Sequence, residues 1–324
     1  MVALNEIFRS NMIFQANKPV RFFGTGSGEV VITFCNTTKK ISANGQWLIE
    51  FSPLPYGGPH IAEVVLDGEK TILKNMYAGD VYLLGGQSNM QFKLIATNEP
   101  IEGYKGNKNV RLFTVDRMED QEYYHAKDGW VELTKENAQY FSALGYYVSQ
   151  DLAVEDRKIG LIACYQGASV IQTWLPKEVA DREEFQSEEP VHARTLYPLW
   201  NKNGQLYEYQ LKKVLPYSLS AVLWYQGESN TNGEEGRKYF EMLKALIESW
   251  RQAFDDSSLR FIVMQIADLL GRGAGWRRVQ DAQYRAGQEL DGVDCVITRD
   301  ICEKDDIHPM SKRGVGKRIA NLLR

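Results

Sequence analysis

From about Tyr77 onward the chain repeats one pattern that limits what it can fold into, namely short apolar runs separated by longer stretches with helical spacing. The runs are DVYLLGG (80–86), RKIGLIAC (157–164), LSAVLWYQG (219–227), LRFIVMQI (259–266) and DCVITRD (294–300). Between them lie NAQYFSALGYYVSQDLAVE (137–155), RKYFEMLKALIESWRQAF (237–254) and WRRVQDAQYRAGQEL (276–290), and KRGVGKRIANLL (312–323) closes the chain. Apolar runs alternating with helices imply a parallel sheet with both faces covered, so the expected fold class is α/β. Residues 18–76 read differently: PVRFFG, GEVVITFC, GQWLIEF and HIAEVVLDG alternate apolar and polar positions between Gly, Asn and Pro turns. That pattern suits a small antiparallel β-sandwich. The expected organisation is a β domain over residues 1–76 and an α/β domain over residues 77–324.

Composition excludes several classes. With 44% hydrophobic and 25% charged residues among 324, the chain has the make-up of a soluble globular protein. A net charge of −4 gives no attraction for nucleic acid or an anionic membrane. No stretch approaches the ~20 apolar residues of a membrane span. The N-terminal MVALNEIFRSNMIF carries a glutamate and an arginine where a signal peptide needs an apolar core, so a cytoplasmic location is expected. Cys35, Cys164, Cys295 and Cys302 form no CxxC pair, so they read as reduced thiols, mostly in the core, rather than a disulfide framework or zinc site.

Four sites carry chemistry. GGQSNM (85–90) puts Ser88 just beyond the C-terminal end of a strand, where open α/β sheets place ligands. Glycines there permit close backbone approach, and a following helix N-terminus would direct amides at developing negative charge. Taken alone, the segment is equally a polar turn with Ser88 or Asn89 as N-cap. DDIHP (305–309) holds His308, which alone of His60, His125, His192 and His308 has carboxylates so close in sequence. A general base needs such a carboxylate to fix its tautomer, and Asp305 or Asp306 could serve. Gly167 and the stretch Gly227 to Asn230 each follow a candidate strand at the same sheet edge and offer an N–H and an amide suited to an oxyanion. Glu228 reads as a functional carboxylate or a cap. GTGSGE (24–29) does not match a nucleotide-binding glycine loop and is a strand-connecting turn.

GGQSNM, the QGAS…W stretch, WYQGESN and DDIHP resemble, in order and setting, the four blocks of the SGNH hydrolase superfamily. In wording they are similar to the sialate O-acetylesterase family, as are MIFQANKPVRFFGTG and PYGGPH in the N-terminal segment. The resemblance implies a three-layer α/β/α, flavodoxin-like domain in which Ser88 is the nucleophile and His308 the base. Ser88, Gly167 and Asn230 become the oxyanion donors. The superfamily's spacing selects Asp305 as triad carboxylate, whereas the family's DIHP wording points to Asp306. Gln87, Gln226, Glu228 and Trp174 become substrate-binding residues, and Trp174, Trp224 and Tyr225 are candidates to stack on a sugar ring. One departure is Ala168, which stands where the superfamily has a second glycine.

The implied activity is removal of O-acetyl groups from a carbohydrate such as sialic acid or a xylo-oligosaccharide through an acetyl-serine, without metal or organic cofactor. The implied partner is an acetylated sugar, with no nucleic acid and no membrane, and self-association into a homo-oligomer is left open. An idle carbohydrate-binding protein and a lipase or thioesterase fit the same fold. Intact Ser88 and His308 argue against the first, and the lack of a strongly apolar lid segment argues against the second.

Overall fold

The computed structural model describes residues 1–119, 126–154, 157–189 and 191–324. Fourteen strands are described: β1 (Ala3–Leu4), β2 (Ile13–Gln15), β3 (Val20–Thr25), β4 (Ser27–Phe34), β5 (Thr37–Asn44), β6 (Trp47–Phe51), β7 (Gly57–Leu66), β8 (Glu69–Gly86), β9 (Asn107–Thr114), β10 (Val131–Leu133), β11 (Ile159–Tyr165), β12 (Ala221–Tyr225), β13 (Arg260–Met264) and β14 (Val293–Val296). β1 and β3 to β7, with the start of β8, form two antiparallel layers, while the short β2 pairs parallel with β8 at Tyr77–Gly79. One is the sheet β1-β3-β6, and the other runs β5-β4-β7-β8. Alternating burial along β4 and β6 turns one side of each layer inward. Edge-to-face rings join them: Phe34 stands 5.7 Å from Phe22 and 5.5 Å from Phe51.

β8 is 18 residues long and belongs to both halves of the molecule. Its first part, to Ala78, pairs antiparallel with β7, and Asp80–Gly86 forms the centre of the parallel sheet β9-β11-β8-β12-β13-β14, edged by antiparallel β10. The boundary expected between residues 76 and 77 therefore falls inside a continuous strand. One hydrophobic core also runs from Phe8 and Phe22 through Trp130 and Tyr217 into the parallel sheet.

Two helix pairs complete the layers: Gly233–Ala253 against Ala274–Glu289, and Ala143–Leu152 against Lys312–Leu323. Asn232 caps the first, its side chain accepting the Glu235 N–H at 2.8 Å, with Glu234 and Glu235 in the first turn matching the helix dipole. Ser142 caps Ala143–Leu152 and also donates to the Met90 carbonyl at 2.6 Å, which ties that helix to the turn bearing Ser88.

Strand order sets where the site lies. The chain leaves β8 for β9, returns to β11 on one side of β8, then crosses to β12 on the other. Tyr165 of β11 and Tyr225 of β12 are both level with Gly86, so three loops emerge together at a topological switch point. Trp174, Trp224 and Tyr225 do not reach that opening. All three are wholly buried, and Trp224 packs edge-on against Trp174 and Trp250 at 5.9 and 5.4 Å. The expectation that they stack on a sugar is thus corrected: β12 is central and buried throughout, so Trp224 and Tyr225 are core, and Trp174, at the end of the buried turn Ile171–Trp174, packs against Trp224.

Gly86 is the tightest point of this arrangement. Its φ is +126°, and a Cβ there would stand 2.1 Å from the Tyr225 carbonyl oxygen. Gly86→Ala is expected to cost at least ~1–3 kcal/mol from backbone strain alone, read as a lower urea midpoint; an unchanged midpoint would contradict the close approach of β8 to β12.

Candidate active site

Ser88 opens a single helical turn, Ser88–Gln91, directly after β8, with Gln87 extended at the cap position. Its Oγ lies 2.8 Å from Nε2 of His308, across 220 residues of chain. Asn89 explains how two distant loops meet. Its Nδ2 donates to the Ile307 carbonyl at 2.9 Å, beside His308, and to Glu228 Oε1 at 2.5 Å, while its Oδ1 accepts from Lys312 Nζ at 2.6 Å. The Ser88 turn, the His308 loop, the β12 loop and the last helix are thereby joined through one side chain.

Lys312 is 1% exposed and sits at the first position of its helix, where a cation opposes the dipole. The Asn89 oxygen and the Phe92 ring, 4.7 Å from Nζ, offset that cost. Burial pulls its pKa down to about 8, against the opposing pull of nearby Cys302 and Glu228. Burial also raises the Glu228 carboxyl above the usual range, and one of its oxygens has no partner among the described residues. His308 is half-buried. Its pKa lies below the ordinary value, first through desolvation and then through the Lys312 charge, with Asp306 opposing.

Asp306 Oδ1 accepts the backbone N–H of His308 at 2.8 Å and so shapes the loop rather than the ring. Asp305 is exposed. Among the described residues neither carboxylate is hydrogen-bonded to the imidazole, so the choice between them is not made by a ring contact.

Gly167 follows β11 and lies against Ser88: a Cβ on it would stand 3.9 Å from that of Ser88 and 3.2 Å from Gln91 Oε1. The amides of Ser88, Gly167 and Ala168 have no protein acceptor among the described residues. Ala168 adopts φ +53°, a left-handed conformation costly for a side chain bearing a Cβ. Asn230 behaves differently. Its Nδ2 donates to Gln172 Oε1 at 3.0 Å and Glu235 Oε2 at 2.8 Å, and its Oδ1 accepts from Ile171 N and Gln226 Nε2. Both amide protons are engaged away from Ser88.

The remaining expected contacts also lie beneath the site. Gln87 Oε1 accepts from Gly227 N and Ser229 N, Gln226 Nε2 donates to the Ser169 carbonyl, and Trp174 Nε1 donates to Ser169 Oγ. These side chains hold the loops and do not line the opening. The opening itself is a cleft of about 360 Å³ around Ser88, Gly167 and His308, walled by Phe92, Lys93, Glu119, Tyr197 and Trp200. These wall residues were not identified from the sequence. The available signal was LYPLW (196–200), an aromatic cluster in a loop between apolar runs. A larger cleft of about 420 Å³ lies between β3, β6 and Pro216, without serine, cysteine or histidine in its walls. Among the described residues, no three His, Cys, Asp or Glu side chains are grouped to hold a metal ion, and no helix is long and apolar enough to cross a membrane.

A family model, carbohydrate esterase, sialic acid-specific acetylesterase, matches residues 78–324. The chain is 25% identical over 352 residues to sialate O-acetylesterase of Homo sapiens, covering 92% of this chain and 65% of that protein. The Mus musculus sialate O-acetylesterase is 23% identical over 369 residues, covering 92% and 68%. Among solved structures, a carbohydrate acetylesterase from Xanthomonas citri superposes with a TM-score of 0.85 at 25% identity, covering 99% of this chain and 74% of that one. The chain thus spans just under two thirds of the length of the human relative.

A ring titration followed by NMR checks the electrostatics of the site. His308 is expected to titrate below 6.5, and Lys312→Met, which removes the neighbouring positive charge, to move it upward. A wild-type value at or above 6.5, or no upward movement in Lys312→Met, would contradict the buried, cation-facing position of the ring.

Proposed function

The chain belongs to the sialic acid-specific acetylesterase family of carbohydrate esterases, and we propose that it removes O-acetyl groups from an acetylated sugar with Ser88 as nucleophile and His308 as general base. The observation that carries this reading is the 2.8 Å contact between Ser88 Oγ and His308 Nε2 inside a cleft whose Ser88 and Gly167 amides have no acceptor among the described residues.

The chemistry follows from that geometry. Neutral His308 accepts the Ser88 proton as Oγ attacks the acetyl carbon, forming a tetrahedral adduct. The amides of Ser88 and Gly167 hold its oxyanion. Protonated His308 then delivers the proton to the departing sugar oxygen, the C–O bond breaks, and acetyl-Ser88 remains. A water deprotonated by His308 attacks the acyl carbon, and collapse releases acetate and restores the hydroxyl. The lowered pKa of His308 keeps it neutral, and so able to act as base, below the ordinary histidine range. Activity is then lost only as pH falls through that lowered value.

Asn230 acts in this account by fixing the β12 and β11 loops, because its donors are already engaged by Gln172 and Glu235. Asn230→Ala removes the partner of the buried Gln172 Oε1 and of the Ile171 N–H, at roughly 1–3 kcal/mol. It is expected to lower thermal stability and turnover together. Lost turnover at wild-type stability would instead make Asn230 a direct oxyanion donor, which opens only when substrate is bound.

The substrate class is tested by acetate release across acetylated monosaccharides, O-acetylated sialic acids and acetylated xylo-oligosaccharides, with Ser88→Ala as control. Release from at least one of them is expected, with loss of at least 10³-fold in the variant. Acetate release that survives Ser88→Ala would refute the nucleophile assignment, and a preference for long acyl chains in a matched ester series would favour a lipase or thioesterase.

A further inference from the structure

Tyr197 and Trp200 stand on one short loop that follows the helix His192–Leu196, and their rings are stacked, 5.2 Å apart at 22°. Tyr197 is 40% exposed and Trp200 only 8%, and both wall the cleft that contains Ser88. The same loop grips the backbone beside the nucleophile. Trp200 Nε1 donates to the Gly167 carbonyl at 3.1 Å, Asn201 Nδ2 donates to the Ala168 carbonyl at 2.9 Å, and Asn201 Oδ1 accepts the Val170 N–H at 2.9 Å. These bonds span the one residue there held in a left-handed conformation, Ala168. A Cβ-bearing residue keeps that conformation only when its surroundings impose it. The loop's bonds lie on either side of Ala168.

We infer that Trp200 is a positioning residue with two linked tasks: with Tyr197 it forms the wall against which the apolar face of a pyranose ring stacks, and through its indole N–H it holds the Gly167 peptide in place beside Ser88. Binding of a sugar against this wall then presses on the same loop that holds the Gly167–Val170 backbone, the turn on which the Gly167 N–H sits. The substrate class that profits is a ring-bearing ester rather than a linear one. This inference rests on the reading of Ser88 as the nucleophile of a sugar acetylesterase.

Xylose tetraacetate and 4-nitrophenyl acetate are the probes, each assayed with the full chain. Trp200→Phe keeps an aromatic ring and loses the N–H; its kcat is expected to fall at least ~10-fold on both esters, less than the ~10²–10³-fold seen when an oxyanion donor is removed outright. Tyr197→Ala is expected to raise KM for xylose tetraacetate about fivefold to tenfold, so that the preference for the sugar ester over the aryl ester falls by the same factor. Hydrogen–deuterium exchange supplies a readout independent of turnover: the peptide spanning residues 165–171 is expected to exchange faster in Trp200→Phe than in wild type. Wild-type kcat with unchanged exchange in Trp200→Phe overturns the positioning role, and an unchanged ester preference in Tyr197→Ala overturns the stacking wall. Should Trp200→Phe fail to fold, the Trp200 indole proton of the unaltered protein decides: slow exchange with solvent supports the held carbonyl, and fast exchange refutes it. Absence of acetate release by the wild type from both probes and from every acetylated sugar of the substrate panel would refute the esterase reading itself, and the exchange measurements would still decide whether Trp200 holds Gly167.

Discussion

Everything the site can do depends on Ser88 and His308 being kept at hydrogen-bond distance although 220 residues separate them. The Ser88–His308 bond is too weak to impose that arrangement, since a single hydrogen bond contributes only about 0.5–1.5 kcal/mol net. The scaffold beneath does so. Asn89, next in sequence to Ser88, is bonded to the Ile307 carbonyl, to Glu228 and to Lys312, so the four segments cannot move independently. A buried cation at a helix start and a buried carboxylate with one oxygen unpaired among the described residues are each unfavourable alone. Joined through one amide, they define a single register for the loops above.

The second constraint is steric. Three central strands end level with Gly86, and the approach of β12 to β8 is close enough that only glycine fits. The polar side chains just past those strand ends then fill the space between loops. Gln87 is bonded to the β12 loop, Gln226 to Ser169, and Asn230 to Gln172 and Glu235. Buried polar networks of this kind rigidify when all members are satisfied. The cleft is accordingly built from a rigid floor of amides and carboxylates and a wall of aromatic rings contributed by a separate loop.

Most of the parallel sheet was legible because its strands are uniformly apolar: the runs at 80–86, 157–164, 219–227 and 259–266 contain the observed strands or their greater part. β9 was missed because NKNVRLFT mixes polar and apolar residues, and β5 because TTKKISAN is polar on nearly every position and pairs only at one edge. The break expected at residue 77 came from a change of pattern within β8, whose start is a half-exposed hairpin strand and whose end is wholly buried. Ser88 and His308 could be singled out from motif order and come together in the fold. The roles of their neighbours could not. Sequence adjacency put Gln87, Gln226, Glu228 and Trp174 near the chemistry, but whether a side chain points up into the cleft or down into the scaffold depends on loop dihedrals that adjacency does not encode. Tyr197 and Trp200 enter the wall from a loop 30 residues and more past Gly167; LYPLW marks an aromatic cluster in the sequence, but nothing local ties it to the Ser88 turn. Lys312 was hidden among the basic residues of KRGVGKR.

The most direct measurement of the central claim is mass-spectrometric mapping of the site labelled by an acetyl-ester-mimicking phosphonate, followed over time in wild type and in His308→Ala. The account predicts one adduct, on Ser88, whose formation slows by at least ~10²-fold without the imidazole. An adduct on another residue, or labelling of Ser88 at an unchanged rate in His308→Ala, would contradict it.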